Sequence, residues 1–269
     1  MPQPRTVRRT RTVRRAATAL VTAALLVPLA ACGKDDSGTK ASGDGSARTE
    51  LTVLAASSLT DVFTKAGAAY EKEHPGTKVN FSFAGSQELA AQVTQGAPAD
   101  AVVTADTKTM DRLTADVGTP TVIAKNRLVI VVGEGNPKKI KGLKDLTDLA
   151  RVKVALAAPA VPAGRYSRQI LAAQKLRVQP LTQEPNVRAV LSKVELGEAD
   201  AGLVYKTDAA AAPEKTDAID IPDAQNAVAS YPAATLKSSQ HAEAAAAFVK
   251  WLSTPEAQRI LQQAGFQQP

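Results

Sequence analysis

The stretch LTVLAASSLTD, Leu51–Asp61, joins a β-prone run to a helical pattern and decides the fold of the chain. Its first four residues, LTVL, predict a buried strand, and apolar residues at three- and four-residue spacing from Asp61 onward predict a helix. Between the two, Ser57 and Ser58 place hydroxyls where a helix leaves its first backbone N–H groups unpaired. Helix capping is the simpler interpretation of these hydroxyls, but such a corner can also bind an anion without a charged side chain.

Residues 1–32 have the pattern of a bacterial signal peptide and are set aside from fold reasoning. Six arginines and no acidic residue occupy Met1–Arg15, and the uncharged, alanine-rich run behind them is too short for a comfortable membrane span. The run ends in LAACG, Leu29–Gly33, which resembles the lipobox of bacterial lipoproteins, where the cysteine is acylated after cleavage. Cys32 is the single cysteine of the chain, so lipidation is predicted rather than a disulfide or a catalytic thiol. The Arg14-Arg15 pair leaves open which export route is used.

Behind this leader the chain is close to neutral. Loss of the six leader arginines leaves 27 basic residues against 26 acidic ones, a net charge of +1 in place of +7 for the full sequence. A basic nucleic-acid-binding surface is therefore not predicted. Residues 33–47, GKDDSGTKASGDGSA, are small and polar and predict a flexible tether. The remaining residues, 48–269, suffice for two modest lobes with cores of their own.

From Leu51 onward, predicted strands and helices alternate, which indicates an α/β fold with mostly parallel sheets. Several β-rich runs end at small-residue turns, and helical spacing resumes behind them. The predicted strands are 51–54, 78–84, 101–104, 126–132, 153–157, 201–205, 216–221 and 227–234. The predicted helices begin near residues 61, 88, 107, 143, 166, 186, 240 and 255.

The residue inventory argues against an enzyme. No G-x-S-x-G elbow surrounds Ser57 or Ser58, and no Walker-type phosphate loop occurs in the sequence. The two histidines, His74 and His241, lack the spaced acidic or cysteine companions that would indicate a metal site. A serine hydrolase needs a base close to its nucleophile, and the chain offers few candidates. No cofactor is expected.

Other corners of the chain repeat the pattern of the first one. Ser86 also follows a predicted strand and precedes a predicted helix, Ala163 and Val187 stand at helix starts, and Tyr205 ends a strand. In open α/β sheets, ligands bind at such carboxyl ends of strands. Hydroxyls, backbone N–H groups and helix dipoles are neutral donors. Together these corners predict a site for a small, fully ionised oxyanion.

Four segments resemble those of the molybdate-binding proteins that serve bacterial ABC importers: LAASSLT, SFAGSQELAAQVTQGAPADAVVTAD, VPAGRYS and AGLVY. The resemblance covers Leu51–Phe266, and GAPAD is its most specific piece. It implies a type II periplasmic-binding-protein fold and a bare tetrahedral oxyanion, molybdate or tungstate, that is held by hydrogen bonds rather than by metal-ligating side chains. Carried over position by position, it implies hydroxyl donors at Ser58, Ser86 and Tyr205 and backbone N–H donors at Ala163 and Val187.

Two positions depart from the pattern of that family. Ser57 doubles the first hydroxyl, so which of Ser57 and Ser58 faces the ligand stays open. Gly85 stands where a serine is common, which removes one possible donor. Arg165, beside the Ala163-Gly164 turn, has two open orientations, into the cleft or toward solvent.

The expected protein is a two-lobed, extracytoplasmic binding protein and not an enzyme. Lobe I is predicted to comprise residues 48–128 and 230–269 and lobe II residues 129–229, each a mostly parallel sheet flanked by helices, with the ligand cleft between them. The lobes are expected to be joined by crossovers near 126–128 and 228–233. The lobes would close on molybdate or tungstate, and an ABC permease would recognise the closed form. The protein is expected to be a monomer held at the membrane by its lipid anchor alone.

Three alternatives stay open at this point. A receptor of the same fold could bind sulfate, phosphate or a small carboxylate. Ser58 could be the nucleophile of a hydrolase, although the shortage of histidines weighs against it. A surface adhesin or scaffold lipoprotein could retain an unused cleft. Within the main hypothesis, a preference between molybdate and tungstate also stays open, because their radii are close.

Overall fold

A computed structural model of the chain describes residues 48–269. The predicted signal peptide, the acylation at Cys32 and the tether of residues 33–47 lie outside the described residues. None of the helices in residues 48–269 has both the length and the apolar character needed to cross a bilayer.

The described residues form nine strands and eight α-helices, with three short 3-10 helices between them. The strands are β1 Thr49–Ala56, β2 Thr77–Ala84, β3 Ala101–Val103, β4 Thr121–Gly133, β5 Val154–Ala157, β6 Thr182–Glu184, β7 Ala201–Tyr205, β8 Thr216–Asp220 and β9 Val228–Thr235. The α-helices are α1 Thr60–Glu73, α2 Ser86–Thr94, α3 Thr107–Asp111, α4 Pro162–Ala173, α5 Val187–Glu195, α6 Lys206–Ala210, α7 Ala242–Trp251 and α8 Pro255–Gln263. The 3-10 helices are Ser57–Leu59, Leu143–Thr147 and Asp223–Gln225.

The long strand β4 joins two halves of one nine-stranded sheet. Up to Arg127 it pairs with β9, and from Leu128 or Val129 onward it pairs with β7 on one side and β8 on the other. We call half I the strands β2, β1, β3, β9 and the first part of β4, with helices α1, α2, α3, α7 and α8. Half II comprises the second part of β4 with β8, β7, β5 and β6, and helices α4, α5 and α6.

The predicted α/β fold is confirmed, but the sheet is mixed rather than mostly parallel. Parallel pairs join β1 to β2 and β3, and β5 to β6 and β7. Every pairing of β4 or β9 is antiparallel. The chain runs along β4 from half I into half II and returns along β9, so these neighbouring strands run in opposite directions.

Most predicted elements are present, and the differences concern short segments and element ends. Strand β4 begins at Thr121 rather than at residue 126. Helix α4 begins at Pro162 rather than near residue 166, because a proline without an N–H fits the first helical position. Strand β6 and helix α6 were missed, since segments of three and five residues are too short for a hydrophobic period.

Aromatic side chains attach the C-terminal helices to half I. Tyr70 of α1 meets Phe248 and Trp251 of α7 edge to face, with ring centroids 5.1 and 5.4 Å apart. His74 stacks on the Tyr70 ring at 4.0 Å. Such aromatic pairs stabilise a fold beyond the area that they bury. The end of the chain is thus part of the core that carries β1.

Asp100, the last residue of GAPAD, ties β1 to the segment before α7. Its buried carboxylate accepts hydrogen bonds from the Thr52 N–H at 2.7 Å and the Ser239 hydroxyl at 2.6 Å, and it lies 3.2 Å from His241 Nδ1. Burial alone would raise the pKa of Asp100, but these hydrogen bonds lower it below the ordinary value of 3.8. The most family-specific segment therefore serves the scaffold of half I.

Substituting Asp100→Ala should lower the free energy of unfolding by about 3 kcal/mol near neutral pH, because the Thr52 N–H and the Ser239 hydroxyl lose a charged acceptor. Folding lowers the pKa of Asp100, so its contribution is present above the unfolded pKa and is lost as pH falls through the folded pKa. Urea unfolding at about pH 7 and about pH 3 should therefore show a smaller difference between wild type and variant in acid.

The matched control is Asp111→Ala, which removes an exposed carboxylate at the end of α3. It should change the free energy of unfolding by less than about 0.5 kcal/mol. Equal losses in the two variants, or a loss at Asp100 that does not depend on pH, would contradict the scaffold role.

Candidate functional site

One small cavity between half I and half II brings all the predicted site residues together. Its lining includes Ser58, Ser86, Ala163, Val187 and Tyr205, and also Ser57 and Gly85. The space open to the centre of a water-sized particle is about 10 Å³, roughly what one such particle needs. No charged side chain and no histidine belongs to its lining among the described residues. The cavity is therefore suited to a small ion.

The two serines of half I lie where β1 and β2 end. Ser58 lies in the 3-10 helix behind β1 and is 3% exposed, and Ser86 is the first residue of α2 and is 1% exposed. The Ser86 Oγ accepts a hydrogen bond from the Ala105 N–H at 3.0 Å. Because a hydroxyl has one proton and two lone pairs, Ser86 keeps its proton for a second partner. It can donate that proton into the cavity.

Ser58 is anchored by a tyrosine from the other end of the chain. Its Oγ lies 3.0 Å from the hydroxyl of Tyr231 on β9, and Tyr231 is fully buried. Burial raises the pKa of Tyr231 well above its ordinary value, so the phenol is neutral and can donate to Ser58. Sequence reasoning missed this role, and the only signal was a tyrosine in the predicted crossover at 228–233.

The prediction that the Ser57 and Ser58 hydroxyls cap the following helix is wrong. Neither the 3-10 helix at Ser57–Leu59 nor α1 has a side-chain cap, and the Thr60 hydroxyl donates instead to the Ser57 carbonyl at 2.7 Å. Ser57 and Ser58 both line the cavity, and Ser58 has its oxygen fixed by Tyr231.

Half II contributes the starts of two helices. Ala163 is the second residue of α4, and Val187 is the first residue of α5, behind Asn186, whose side chain caps the Ala189 N–H at 3.0 Å. The first N–H groups of a helix have no partner within the helix. Within the described part of the chain, the N–H groups of Ala163 and Val187 donate to no backbone carbonyl elsewhere. Both remain available as donors, and the helix dipoles favour a negative charge there.

The Tyr205 hydroxyl at the end of β7 is the donor that argues most directly for a ligand in the cavity. Its side chain is 1% exposed, and its Oη has no hydrogen-bond partner among the described residues. Burial, with a smaller effect of the nearby Tyr231, raises the pKa of Tyr205 well above its ordinary value of 10, so the phenol is protonated at neutral pH. Buried hydroxyls nearly always have partners. The phenol can therefore donate a hydrogen bond to a ligand in the cavity.

Arg165 takes neither of its two predicted orientations. It reaches across to half I, where its Nε donates to Asp106 Oδ2 at 2.8 Å and its Nη2 donates to the Thr109 hydroxyl at 2.7 Å. Its side chain is 14% exposed. The guanidinium charge is thus committed to a carboxylate outside the cavity.

Gly85 lies where the two halves come into contact. A Cβ at this position would be 2.5 Å from the carbonyl oxygen of Pro185 on half II. The same oxygen accepts a hydrogen bond from Gln87 Nε2 at 2.8 Å. A serine here would require both the Gln87 side chain and the Pro185 backbone of half II to shift, so the departure from the family pattern has a steric reason.

The described residues contain no group of three or more His, Cys, Asp or Glu side chains placed to hold a metal ion. His74 Nδ1 lies 3.0 Å from the Tyr70 carbonyl oxygen, and His241 contacts Asp100. Neither histidine lines the cavity beside Ser58. Among residues 48–269, the lining offers hydrogen-bond donors for an anion and contains no histidine or carboxylate beside Ser58.

Comparison with known proteins gives one family and one fold. Residues 51–267 match the family described as bacterial extracellular solute-binding protein. The molybdate-binding protein ModA of Mycobacterium tuberculosis is 40% identical over 253 residues, which cover 93% of this chain and 97% of that protein. Two solved structures share the fold. The periplasmic molybdate-binding protein of Azotobacter vinelandii has a TM-score of 0.71 at 22% identity and covers 81% of this chain and 99% of its own. The sulfate-binding protein SubI of Mycobacterium tuberculosis has a TM-score of 0.73 at 21% identity, with coverages of 82% and 87%.

Removing the Tyr205 hydroxyl by Tyr205→Phe should leave the free energy of unfolding of the ligand-free protein unchanged or raise it by up to about 1 kcal/mol, because no hydrogen bond is lost and a buried polar atom is removed. Tyr231→Phe is the matched control, since it removes another buried phenol hydroxyl, the one that holds Ser58. That variant should lose about 1 kcal/mol. Urea unfolding compares the two, and an equal loss in both would contradict a ligand-facing role for Tyr205.

Proposed function

The chain belongs to the bacterial extracellular solute-binding proteins, and from that premise we propose that it captures molybdate or tungstate in the cavity between its halves. The observation that carries the proposal is the convergence of Ser58, Ser86, Ala163, Val187 and Tyr205 on a cavity without charged lining. The unpartnered Tyr205 hydroxyl supports the same site. The identity with a relative named for molybdate binding supports the choice of ligand.

Neutral donors suit an oxyanion that is fully ionised at neutral pH. Hydrogen phosphate carries a proton and would need an acceptor, and the lining has no carboxylate to provide one. A hydrogen bond from a neutral donor to a charged group is worth about 1.5–3 kcal/mol. Three hydroxyls and two backbone N–H groups can therefore hold a dianion without a counter-charge in the cavity. Discrimination between sulfate and the larger molybdate then depends on the size of the cavity.

Binding is proposed to couple to closure of two lobes. Lobe I would comprise residues 48–128 and 230–269 and lobe II residues 129–229, hinged where β4 and β9 cross between the halves. An ABC permease in the membrane would recognise the closed form. A lipid on Cys32 would hold the protein, as a monomer, on the extracytoplasmic face of the cell membrane. The proposal involves no enzymatic activity and no cofactor.

Titration calorimetry of the mature protein with molybdate, tungstate, sulfate and phosphate tests this function. Molybdate and tungstate should bind, and sulfate and phosphate should bind at least about tenfold more weakly, since a smaller or protonated anion loses hydrogen bonds worth at least about 1.4 kcal/mol. A preference for sulfate would favour a receptor for that anion. Absence of binding to all four would favour a lipoprotein with an unused cleft.

The same titration tests the site residues. Ser58→Ala and Ser86→Ala should each weaken molybdate binding about tenfold or more, because each removes one donor to the anion. Ser192→Ala, on the exposed side of α5, is the control and should leave the affinity unchanged. Unchanged affinity in both cavity variants would show that the anion binds elsewhere.

A further inference from the structure

Two arginines stand beside the cavity without entering it. Arg165 follows Ala163 by two residues on α4, and Arg188 directly follows Val187 on α5. Each therefore lies next to a backbone N–H that lines the cavity. Each reaches away from the cavity to a carboxylate on half I.

The Arg165 pair is the more buried of the two. Its guanidinium donates through Nε and Nη2 to Asp106 Oδ2 and through Nη2 to the Thr109 hydroxyl. Asp106 also caps α3 by accepting from the Thr109 N–H at 3.0 Å. The two charged side chains are only 14% and 5% exposed, so water and salt screen their attraction weakly. Removing one partner would leave the other charge buried and uncompensated.

The Arg188 pair is more exposed. Arg188 Nη2 lies 2.5 Å from Asp61 Oδ2 on α1, but the Asp61 side chain is 56% exposed. Its Nε donates to the fully buried Asp208 at 2.6 Å, and Asp208 accepts from the Tyr205 N–H at 3.2 Å. Exposed ion pairs contribute little to stability. The contact with Asp61 is therefore the weaker of these two ion pairs between the halves.

We propose that Arg165 and Asp106 form a closure clamp that sets the residence time of the bound oxyanion, with Arg188 and Asp61 as a weaker second clamp. This inference rests on the proposed function of the cavity. Because each partner lies on a different half, separation of the halves breaks the pair and exposes both charges to water. The clamp stabilises the closed form without touching the anion, so its loss acts on the rate of release. Arg165 is thus a positioning residue for α4 and its Ala163 N–H.

Arg168 provides a matched control on the same helix. It borders the same outer pocket as Arg165 and Asp106, and it carries the same charge. Its guanidinium donates to the Pro159 carbonyl of its own half at 3.1 Å. Both arginines add positive charge to α4 beside this outer pocket, and such charge can speed the approach of a dianion to the protein. Loss of either charge should slow association to a similar degree, whereas loss of the clamp should speed release only in the Arg165 variant.

The experiment measures exchange of bound radiolabelled molybdate against unlabelled molybdate, together with association rates at low salt. Arg165→Ala should raise the release rate about tenfold or more, and Arg168→Ala should leave it within about twofold. Both variants should lower the association rate by about the same few-fold factor. Asp61→Asn should raise the release rate only about two- to threefold.

A double-mutant cycle separates a clamp from a general loss of charge. Asp106→Asn keeps an oxygen that can cap α3 but removes the charge that faces Arg165. If the two side chains act as one clamp, the release rate of the double variant should equal that of the faster single variant within about twofold. Release rates that multiply, or a release rate in Arg165→Ala equal to wild type, would overturn the proposal.

Small-angle scattering of the ligand-free protein tests the clamp without molybdate. Because the clamp favours the closed form, Arg165→Ala should have a larger radius of gyration than both wild type and Arg168→Ala. Equal radii in the three proteins would overturn the clamp even if molybdate does not bind. Conversely, failure of wild type to bind molybdate, with a larger radius for Arg165→Ala, would overturn the proposed ligand and leave the clamp supported.

Discussion

The proposed site depends on buried hydrogen-bond donors that find no acceptor among the described residues. The Tyr205 hydroxyl and the first N–H groups of α4 and α5 donate no hydrogen bond to any of residues 48–269. A buried donor without an acceptor costs free energy. The fold holds them there because each belongs to an element whose other side is anchored, as Val190 and Leu191 of α5 are buried on half II. Under the proposed function, an oxyanion that fits between these donors would accept hydrogen bonds from several of them at once and remove that cost.

The two arginine side chains next to the cavity stay out of its lining, and this affects which anions the cavity can distinguish. A guanidinium inside the cavity would form forked hydrogen bonds with sulfate, phosphate or a carboxylate alike. Arg165 and Arg188 closely follow the cavity-lining Ala163 and Val187 in the chain, but carboxylates on half I engage both. The remaining donors are hydroxyls and backbone groups whose positions the sheet and helix starts fix. Such donors respond to the size and the protonation of the anion more than to its charge.

Local signals in the sequence predicted most of the elements and, with the family resemblance, named the five residues that line the cavity and are proposed as the site. Turns of small residues behind β-rich runs can be recognised from adjacent residues in the sequence. The carboxyl ends of such strands lie at one edge of a sheet. The parts that were missed depend on partners distant in the chain. Ser58 and Tyr231 are 173 residues apart, and Arg165 and Asp106 are 59 apart. A single sequence gives the types of these residues but not their contacts, so the anchoring of Ser58 and the direction of Arg165 needed the structure.

Gly85 shows how contact between the halves limits the size of the cavity. Its φ of −63° is open to any residue, so the requirement for glycine comes from its surroundings and not from its backbone. The Pro185 carbonyl that a Cβ would meet lies two residues before Val187, whose N–H lines the cavity. A side chain at position 85 would push this part of half II outward and carry the Val187 N–H away from Ser86. The glycine gives up a possible hydroxyl donor, but it lets the remaining donors approach one another. Under the proposed function, the spacing of these donors would select among oxyanions of equal charge.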